Sequence, residues 1–264
     1  MLERLNTLWF GGPLGYVEKL SVASALKVGH PVTIYSYDPD TLAGVPTGAE
    51  VADARAVMAD ERRVKLLRGK FAALGSDFFR YEVFAHRLGY WVDLDVLFLR
   101  PLDFAEEYVF GWEKEGSING AVLRLPAGSK MLEELRNVPE TNWRPPYFGP
   151  KRSMVYLWQR LSKGEVKLED LPWGAAGPEM ITYLAKREGL AHLAQPRPVF
   201  YPIPYEHAGD VFAEDASVVR ARLTSETHAI HLWNSRLKEF LKRPPPAESF
   251  MAQACREHGV DCGL

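Results

Sequence analysis

Residues 90–102 read YWVDLDVLFLRPL and place two carboxylates, Asp93 and Asp95, inside a run of large apolar side chains. The run is short and rich in β-branched and aromatic residues, which predicts a strand buried on both faces. Side chains alternate between the faces of a strand, so we expect Asp93 and Asp95 on one face and Leu94 on the other. Two ionised carboxylates close together in a dry core need a compensating cation or proton. The stretch therefore predicts that a cation, a proton or local hydrogen-bond donors compensate the two carboxylates.

The composition is that of an ordinary globular protein with enough length for a sizeable core. The chain has 264 residues, of which 47% are hydrophobic and 25% charged. Its formal net charge of −2 argues against a dedicated nucleic-acid binder. The N-terminus lacks a signal pattern and no apolar stretch reaches about 18 residues. We therefore expect no transmembrane segment and a cytoplasmic location, either free or peripheral at the inner face of the membrane.

Strands and helices alternate along the chain. The predicted strands are 5–10, 31–37, 90–102, 107–113, 118–126 and 228–235. The predicted helices are 14–28, 52–58, 76–89, 129–138, 153–162 and 177–189. Ser76 is the expected N-cap of the third helix. This order predicts a single α/β domain with a Rossmann-like N-terminal part and a mixed central sheet flanked by helices.

The acidic pair admits three interpretations from the residues alone. Asp93 and Asp95 could hold a metal for a phosphorylated ligand, act as an aspartyl nucleophile with its partner acid, or be satisfied by local donors. A second D-x-D at residues 38–40 contains a proline between polar flanks and predicts a solvated turn. Asp77 and Arg80 share one face of a largely apolar helix, which favours either a clamp on a polyhydroxylated ligand or an ordinary ion pair.

Four sequence blocks resemble one family of enzymes. SDFFRYEVFAHRLGYWVDLDV (76–96) resembles the S-D-x-x-R-Y…G-x-Y-x-D-x-D-V block of retaining glycosyltransferases with the GT-A fold, in particular the D-x-D sugar-binding transferases of family 32. Glucosylating clostridial toxins are more distant relatives of this family. LWFGG (8–12), KVGHPVTIYSY (27–37) and HAIHLWNS (228–235) resemble further blocks in the same order. Residues from about 125 to 225 carry little that can be aligned.

The resemblance implies a single GT-A-like domain spanning 1–264, with a metal site and two functional parts. Residues 1–125 would form the nucleotide-sugar-binding part, and residues 126–264 the acceptor-side part with a C-terminal metal-ligand strand. Asp95 would bind the metal directly, and Asp93 would reach the ribose, the sugar or the metal through water. His231 would be the third ligand, and its imidazole favours Mn²⁺ over Mg²⁺.

The resemblance also assigns roles to residues outside the metal set. Asp77 and Arg80 would clamp the hydroxyls of the donor sugar. Glu179 stands in a Gly-rich turn at the start of a predicted helix, where it either complements the helix dipole or orients the acceptor without serving as an essential base; we group it with Asp93 and Asp95 as catalytic. The other expected nucleotide-sugar contacts are Asn119 and Gly120 at the transferred sugar and Trp233 and Ser235 at the diphosphate. Trp9 either offers its aromatic face to the nucleobase or packs in the core.

The resemblance implies a metal-dependent retaining glycosyltransferase, bacterial and active in polysaccharide biosynthesis. It would move a hexose from a nucleotide sugar, with a UDP-sugar favoured, to a saccharide or lipid-linked saccharide acceptor. Two other functions are possible from the sequence, and the first is a phosphohydrolase. VDLDVL (92–97) fits the D-x-D-x-[TV] of haloacid-dehalogenase-type phosphohydrolases with Asp93 as nucleophile, and AGDVFAED (208–215) imitates their later acidic motif. The second is an inactive protein that only binds carbohydrate or nucleotide.

Overall fold

The computed structural model describes residues 2–67 and 71–263 and shows an α/β fold with helices on both faces of a mixed sheet. The strands are β1 Leu5–Leu8, β2 Val32–Ser36, β3 Glu50–Asp53, β4 Tyr90–Val92, β5 Val96–Phe98, β6 Val109–Lys114, β7 Ser117–Arg124 and β8 Ala229–His231. The helices are α1 Tyr16–Lys27, α2 Glu61–Leu67, α3 Ala72–Ala85, α4 Lys130–Arg136, α5 Pro150–Lys163, α6 Pro178–Arg187, α7 Arg197–Phe200, α8 Ser217–Arg220, α9 Asn234–Leu237 and α10 Phe250–Glu257.

The central sheet has six strands in the order β3-β2-β1-β4-β7-β6. The pairs β2–β3, β1–β2 and β1–β4 are parallel, whereas β7 runs antiparallel to both β4 and β6. The predicted mixed sheet flanked by helices is confirmed. After β1 the chain continues to β2 on one side, and it later returns to β4 on the other side. The carboxyl ends of β1 and β4 therefore flank a topological switch point, where open α/β sheets bind ligands.

Alternating side chains on the central strands separate two hydrophobic clusters. Tyr90 and Val92 belong to one cluster together with Leu20 of α1. Trp91 belongs to the other, where it packs against Phe79 of α3. Because successive strand residues point to opposite faces, β4 is covered by helices on both sides.

The stretch 90–102 is not the single strand that its composition predicts. β4 ends at Val92, a turn spans residues 93–95, and β5 begins at Val96 and pairs with β8 in a separate two-stranded sheet. The turn lets solvent reach both carboxylates, since the side chain of Asp93 is 30% exposed and that of Asp95 is 15% exposed. A turn, and not strand alternation in a dry core, therefore brings the two acids together.

Three local expectations are also wrong. Residues 50–53 form β3, because Ala52 is in register with Tyr35 of β2, so the helix predicted at 52–58 shrinks to a 3-10 turn at 54–56. α3 begins at Ala72, which leaves Ser76 inside the helix and not at its N-cap. The strand predicted at 228–235 ends at His231, because Trp233 has a φ of 60° and redirects the chain into α9.

Candidate active site

Two segments that are distant in sequence meet at the carboxyl end of β4. β5 and β8 pair with Val96 in register with His231, so the turn carrying Asp93 and Asp95 lies beside the end of β8. Ligand atoms of Asp93, Asp95 and His231 all lie within 4.8 Å of one another. The structure thus brings together the three side chains that the sequence analysis proposed for the metal.

Asp95 and His231 form a buried ion pair. His231 Nε2 lies 3.1 Å from Asp95 Oδ1, and the backbone N–H of Asn234 donates to Asp95 Oδ2 at 2.8 Å. Burial alone raises the pKa of Asp95, but the charge and hydrogen bonds of these partners outweigh it and hold the pKa below its usual range. Burial alone lowers the pKa of His231, whereas the Asp95 carboxylate raises it to a net value above the usual one. Each partner therefore favours the charged form of the other.

Asn234 is a site residue that the sequence analysis missed. Its side chain donates to Glu18 Oε1 at 2.8 Å, which joins the loop after β8 to the first turn of α1. Glu18 is almost fully buried, and burial raises the pKa of its carboxyl against the lowering effect of its hydrogen bonds. Asn234 lies between the predicted residues Trp233 and Ser235. Its signal in the sequence is its place three residues after His231, inside the block HAIHLWNS (228–235) that resembles the family.

Arg80 connects the other carboxylates of the site. Its Nη2 lies 3.3 Å from Asp93 Oδ1, and its Nη1 lies 3.3 Å from Asp77 Oδ1. Nη1 also donates to the backbone carbonyl of Gly120 at 3.1 Å. Asp93 Oδ1 further accepts the indole N–H of Trp91 at 2.7 Å. A planar guanidinium thus fixes both carboxylates from inside the protein.

Asp77 sits at the junction between α3 and the start of α6. A β-carbon on Gly177 would collide with Asp77 Oδ2, so only glycine permits this approach. The hydroxyl of Tyr81 donates to the carbonyl of Ala176 at 2.8 Å and holds the same loop against α3. Burial raises the pKa of Asp77 to about 6, although the charge of Arg80 opposes this change.

The remaining predicted site residues occupy different surroundings. Trp9 follows β1 and donates its indole N–H to Gly12 O at 2.8 Å, within a turn near the switch point. Asn119 bonds to Glu113 and to the Ala121 backbone N–H, both inside the sheet. Ser235 is exposed in α9.

Trp233 and Glu179 are each held by neighbouring side chains. Trp233 packs on His231 with ring centroids 4.0 Å apart and donates to the Ile203 carbonyl at 2.8 Å. Glu179, in the first turn of α6, forms an ion pair with Arg152 at 2.6 Å.

The donor set fits a divalent cation. Two carboxylates and one imidazole supply the oxygen and nitrogen ligands that Mn²⁺ accepts, and both carboxylates are reached by solvent. His231 Nδ1 is buried without a hydrogen-bond partner within residues 2–67 and 71–263. The residues present therefore form a possible metal site at the switch point.

A comparison with family models finds one match. Residues 157–262 match the family model of the alpha 1,4-glycosyltransferase conserved region. This segment includes His231 and Asn234, whereas Asp93 and Asp95 lie outside it. The match supports an enzyme of the glycosyltransferase class.

A solved structure described as "PaToxG Glycosyltransferase" is similar over 71% of this chain and 69% of that chain. It has 14% sequence identity and a TM-score of 0.47. A search of curated proteins finds no match.

Proposed function

We propose that the chain is a metal-dependent retaining glycosyltransferase. It transfers a hexose from a nucleotide sugar, with a UDP-sugar favoured, to a saccharide or lipid-linked saccharide acceptor. The observation that carries this proposal is the meeting of Asp93, Asp95 and His231 at the carboxyl ends of β1 and β4. A metal-capable group at a switch point is suited to a nucleotide diphosphate.

Asp95, His231 and Asp93 would hold the cation, Mn²⁺ or Mg²⁺. When bound, a divalent cation neutralises negative charge on the diphosphate and makes the nucleoside diphosphate a better leaving group. The chain's own contribution is to keep the ligands in place. Asn234 holds Asp95 through its backbone N–H, and Arg80 and Trp91 hold Asp93. The residues therefore need little rearrangement to bind the donor.

Asp77 and Arg80 are assigned to the donor sugar. Arg80 Nε is buried without a hydrogen-bond partner in the described parts of the chain, and Nη2 of the same guanidinium pairs with Asp93, whose side chain solvent reaches. Asp77 can accept hydrogen bonds from adjacent hydroxyls. Both residues adjoin Asp93, which places the sugar-binding group next to the metal-capable group.

A retaining reaction needs no general base on the acceptor side, because the leaving phosphate can accept the acceptor's proton. The ion pair between Glu179 and Arg152 supports a positioning role for Glu179, since its carboxylate is already held by a cation. Asp210, the later acid of the alternative phosphohydrolase motif, pairs with Arg222 at 2.6 Å. It does not belong to the metal-capable group found among the described residues. These contacts favour the transferase.

Calorimetric titration of UDP with and without MnCl₂ tests the proposal. The wild-type protein should bind UDP more tightly with Mn²⁺, and Asp95→Ala should remove that gain while keeping the fold. Asp40→Ala is the matched control, because it removes an exposed carboxylate from the other D-x-D. Equal metal-dependent affinity in the wild type and in Asp95→Ala contradicts the proposal. Release of phosphate from a simple monoester would instead indicate the phosphohydrolase.

A further inference from the structure

Helix α5, Pro150–Lys163, presents its apolar side to solvent. Met154, Leu157, Trp158 and Leu161 are 67%, 49%, 68% and 86% exposed. Their spacing of three, four and seven residues places them on one stripe of the helix. Tyr156 is the buried residue of this helix. The stripe that normally faces a protein core therefore faces outward.

This stripe is larger than isolated exposed side chains would be. Val155 in the same helix is 56% exposed, and Trp173, in the loop before α6, is 76% exposed. Several large apolar side chains exposed along one helix mark a site of interaction. Exposing several large side chains to water is unfavourable, so the surface needs a partner that covers it.

Every charged residue in the segment that carries the stripe is basic. Between Arg144 and Gly164 the sequence has five basic residues and no acidic residue, in a protein whose net charge is −2. Arg152 pairs with Glu179, and Lys163 pairs with Asp170. Lys151 and Arg160 form no ion pair with any residue the structure describes, and both are exposed. The partner must therefore present an apolar layer next to negative charge.

We propose that α5 lies in the interface of an anionic lipid bilayer. Trp158, Leu161, Leu157 and Met154 enter the boundary between headgroups and acyl chains, and Lys151 and Arg160 contact the lipid phosphates. An amphipathic helix with basic residues and exposed tryptophan has the chemistry of an interfacial helix. None of the described helices is long and apolar enough to cross a membrane. The helix lies on the bilayer and does not span it.

Partition onto vesicles tests this surface without measuring transfer activity. The wild-type protein should cosediment with phosphatidylcholine vesicles containing a quarter phosphatidylglycerol, and less with pure phosphatidylcholine or at high salt. Leu161→Glu should weaken partition by about tenfold or more, since it removes one buried leucine from the bilayer interface. Val218→Glu is the matched control, because it makes the same charge change at an exposed valine in α8.

Fluorescence quenching by brominated lipid and sedimentation velocity decide whether the partner is lipid or protein. Brominated lipid should quench the fluorescence of Trp158, so Trp158→Phe should reduce the quenching. Arg160→Gln should weaken binding to anionic vesicles more than to neutral ones. Absence of vesicle binding overturns the proposal, as does a dimer in sedimentation velocity that Leu161→Glu dissociates. Circular dichroism on each variant shows whether the fold is retained, and equal binding by folded Leu161→Glu and wild type also overturns it.

Discussion

Arg80 and Gly120 are in direct contact between α3 and β7. Arg80 Nη1 donates to the Gly120 carbonyl at 3.1 Å, and a β-carbon on residue 120 would collide with the same nitrogen. Glycine at this position therefore allows the guanidinium to reach Asp77 and Asp93 at once. Gly120, Asp77 and Asp93 are thus connected through the Arg80 guanidinium.

Gly120→Ala should displace the Arg80 side chain and break at least one of its ion pairs. We expect the free energy of unfolding to fall by about 1–3 kcal/mol, as for other overpacked buried positions. Nucleotide-sugar affinity should fall with it. Urea unfolding and calorimetry measure the two effects. Gly128→Ala is the control, because a β-carbon at that position would meet no described residue other than its chain neighbours within 4 Å. Wild-type stability and affinity in Gly120→Ala would contradict the role assigned to this glycine.

Arg80→Met should destabilise the protein, because it leaves Asp77 and Asp93 without their buried cation. Breaking a buried ion pair in this way costs about 3–5 kcal/mol. Adding Asp77→Asn to Arg80→Met should restore part of the loss, since one uncompensated carboxylate is removed. Denaturant unfolding of the two single variants and the double variant gives the coupling energy. Strictly additive effects would show that the two side chains do not interact.

The free energy of unfolding of Asp77→Asn, compared with that of the wild type, should increase as the pH rises. Burial raises the pKa of Asp77 from its ordinary value of 3.8 to about 6, with Arg80 opposing and Asp93 adding to the change. The folded state thus binds the proton more tightly than the unfolded state. The stability that this proton contributes is present at low pH and is lost as the pH rises through about 6.

Asparagine does not titrate, so the difference in free energy of unfolding between Asp77→Asn and wild type should increase from acid to neutral pH. Urea unfolding at a series of pH values measures it. A difference that is constant with pH would show that the carboxyl titrates alike in both states.

Asn234→Ala should weaken metal-dependent UDP binding by about tenfold, which is the effect of losing a partner that orients a metal ligand. The variant loses the bond to Glu18 that anchors the loop whose N–H holds Asp95. Ser235→Ala is the comparison, because Ser235 is the exposed neighbour expected to line the diphosphate pocket. The thermal shift produced by UDP and Mn²⁺ compares the loss of binding in the two variants. A larger loss in Ser235→Ala would reverse the assignment.

The transferred hexose should keep the α-configuration of its donor. Glu179 is held by Arg152 and is assigned to orienting the acceptor, so no carboxylate is required as a base. Proton NMR of the new anomeric linkage measures the configuration. Glu179→Gln should retain measurable turnover with a raised KM for the acceptor. A β-linked product from an α-donor would instead make Glu179 the catalytic base.

Local charge and hydrophobicity were enough to predict part of the site. Asp93 and Asp95 stood out because an apolar segment carries them, and Asp77 and Arg80 because they share a helical face. The structure pairs Asp77 with Arg80 at 3.3 Å, and both side chains are buried. The turn at 93–95 was not predictable from composition, because β4 and β5 are each short and apolar and read as one strand.

His231 and Asn234 could not be placed in the site from the local sequence, because they reach it through pairing between distant segments. Nothing in the local sequence near His231 or Asn234 indicates Asp95, and only the resemblance to a family linked His231 to a metal. Periodicity has a similar limit in α5. It predicts a helix with an apolar stripe, but it does not say whether the stripe faces the core or the solvent. In this helix the stripe faces the solvent.

The pairing of β5 with β8 also has a consequence for the order of folding. Asp95 and His231 are separated by 136 positions, so their contact closes one of the longer loops in the chain. The parallel strands β1 and β2 and helix α1 can form from neighbouring segments, whereas the histidine arrives only when β8 docks. Partly folded chains would hold both carboxylates without the imidazole. Under the proposed function, metal affinity would report whether β8 has docked, and it would distinguish a correctly refolded protein from one that has only regained its helices.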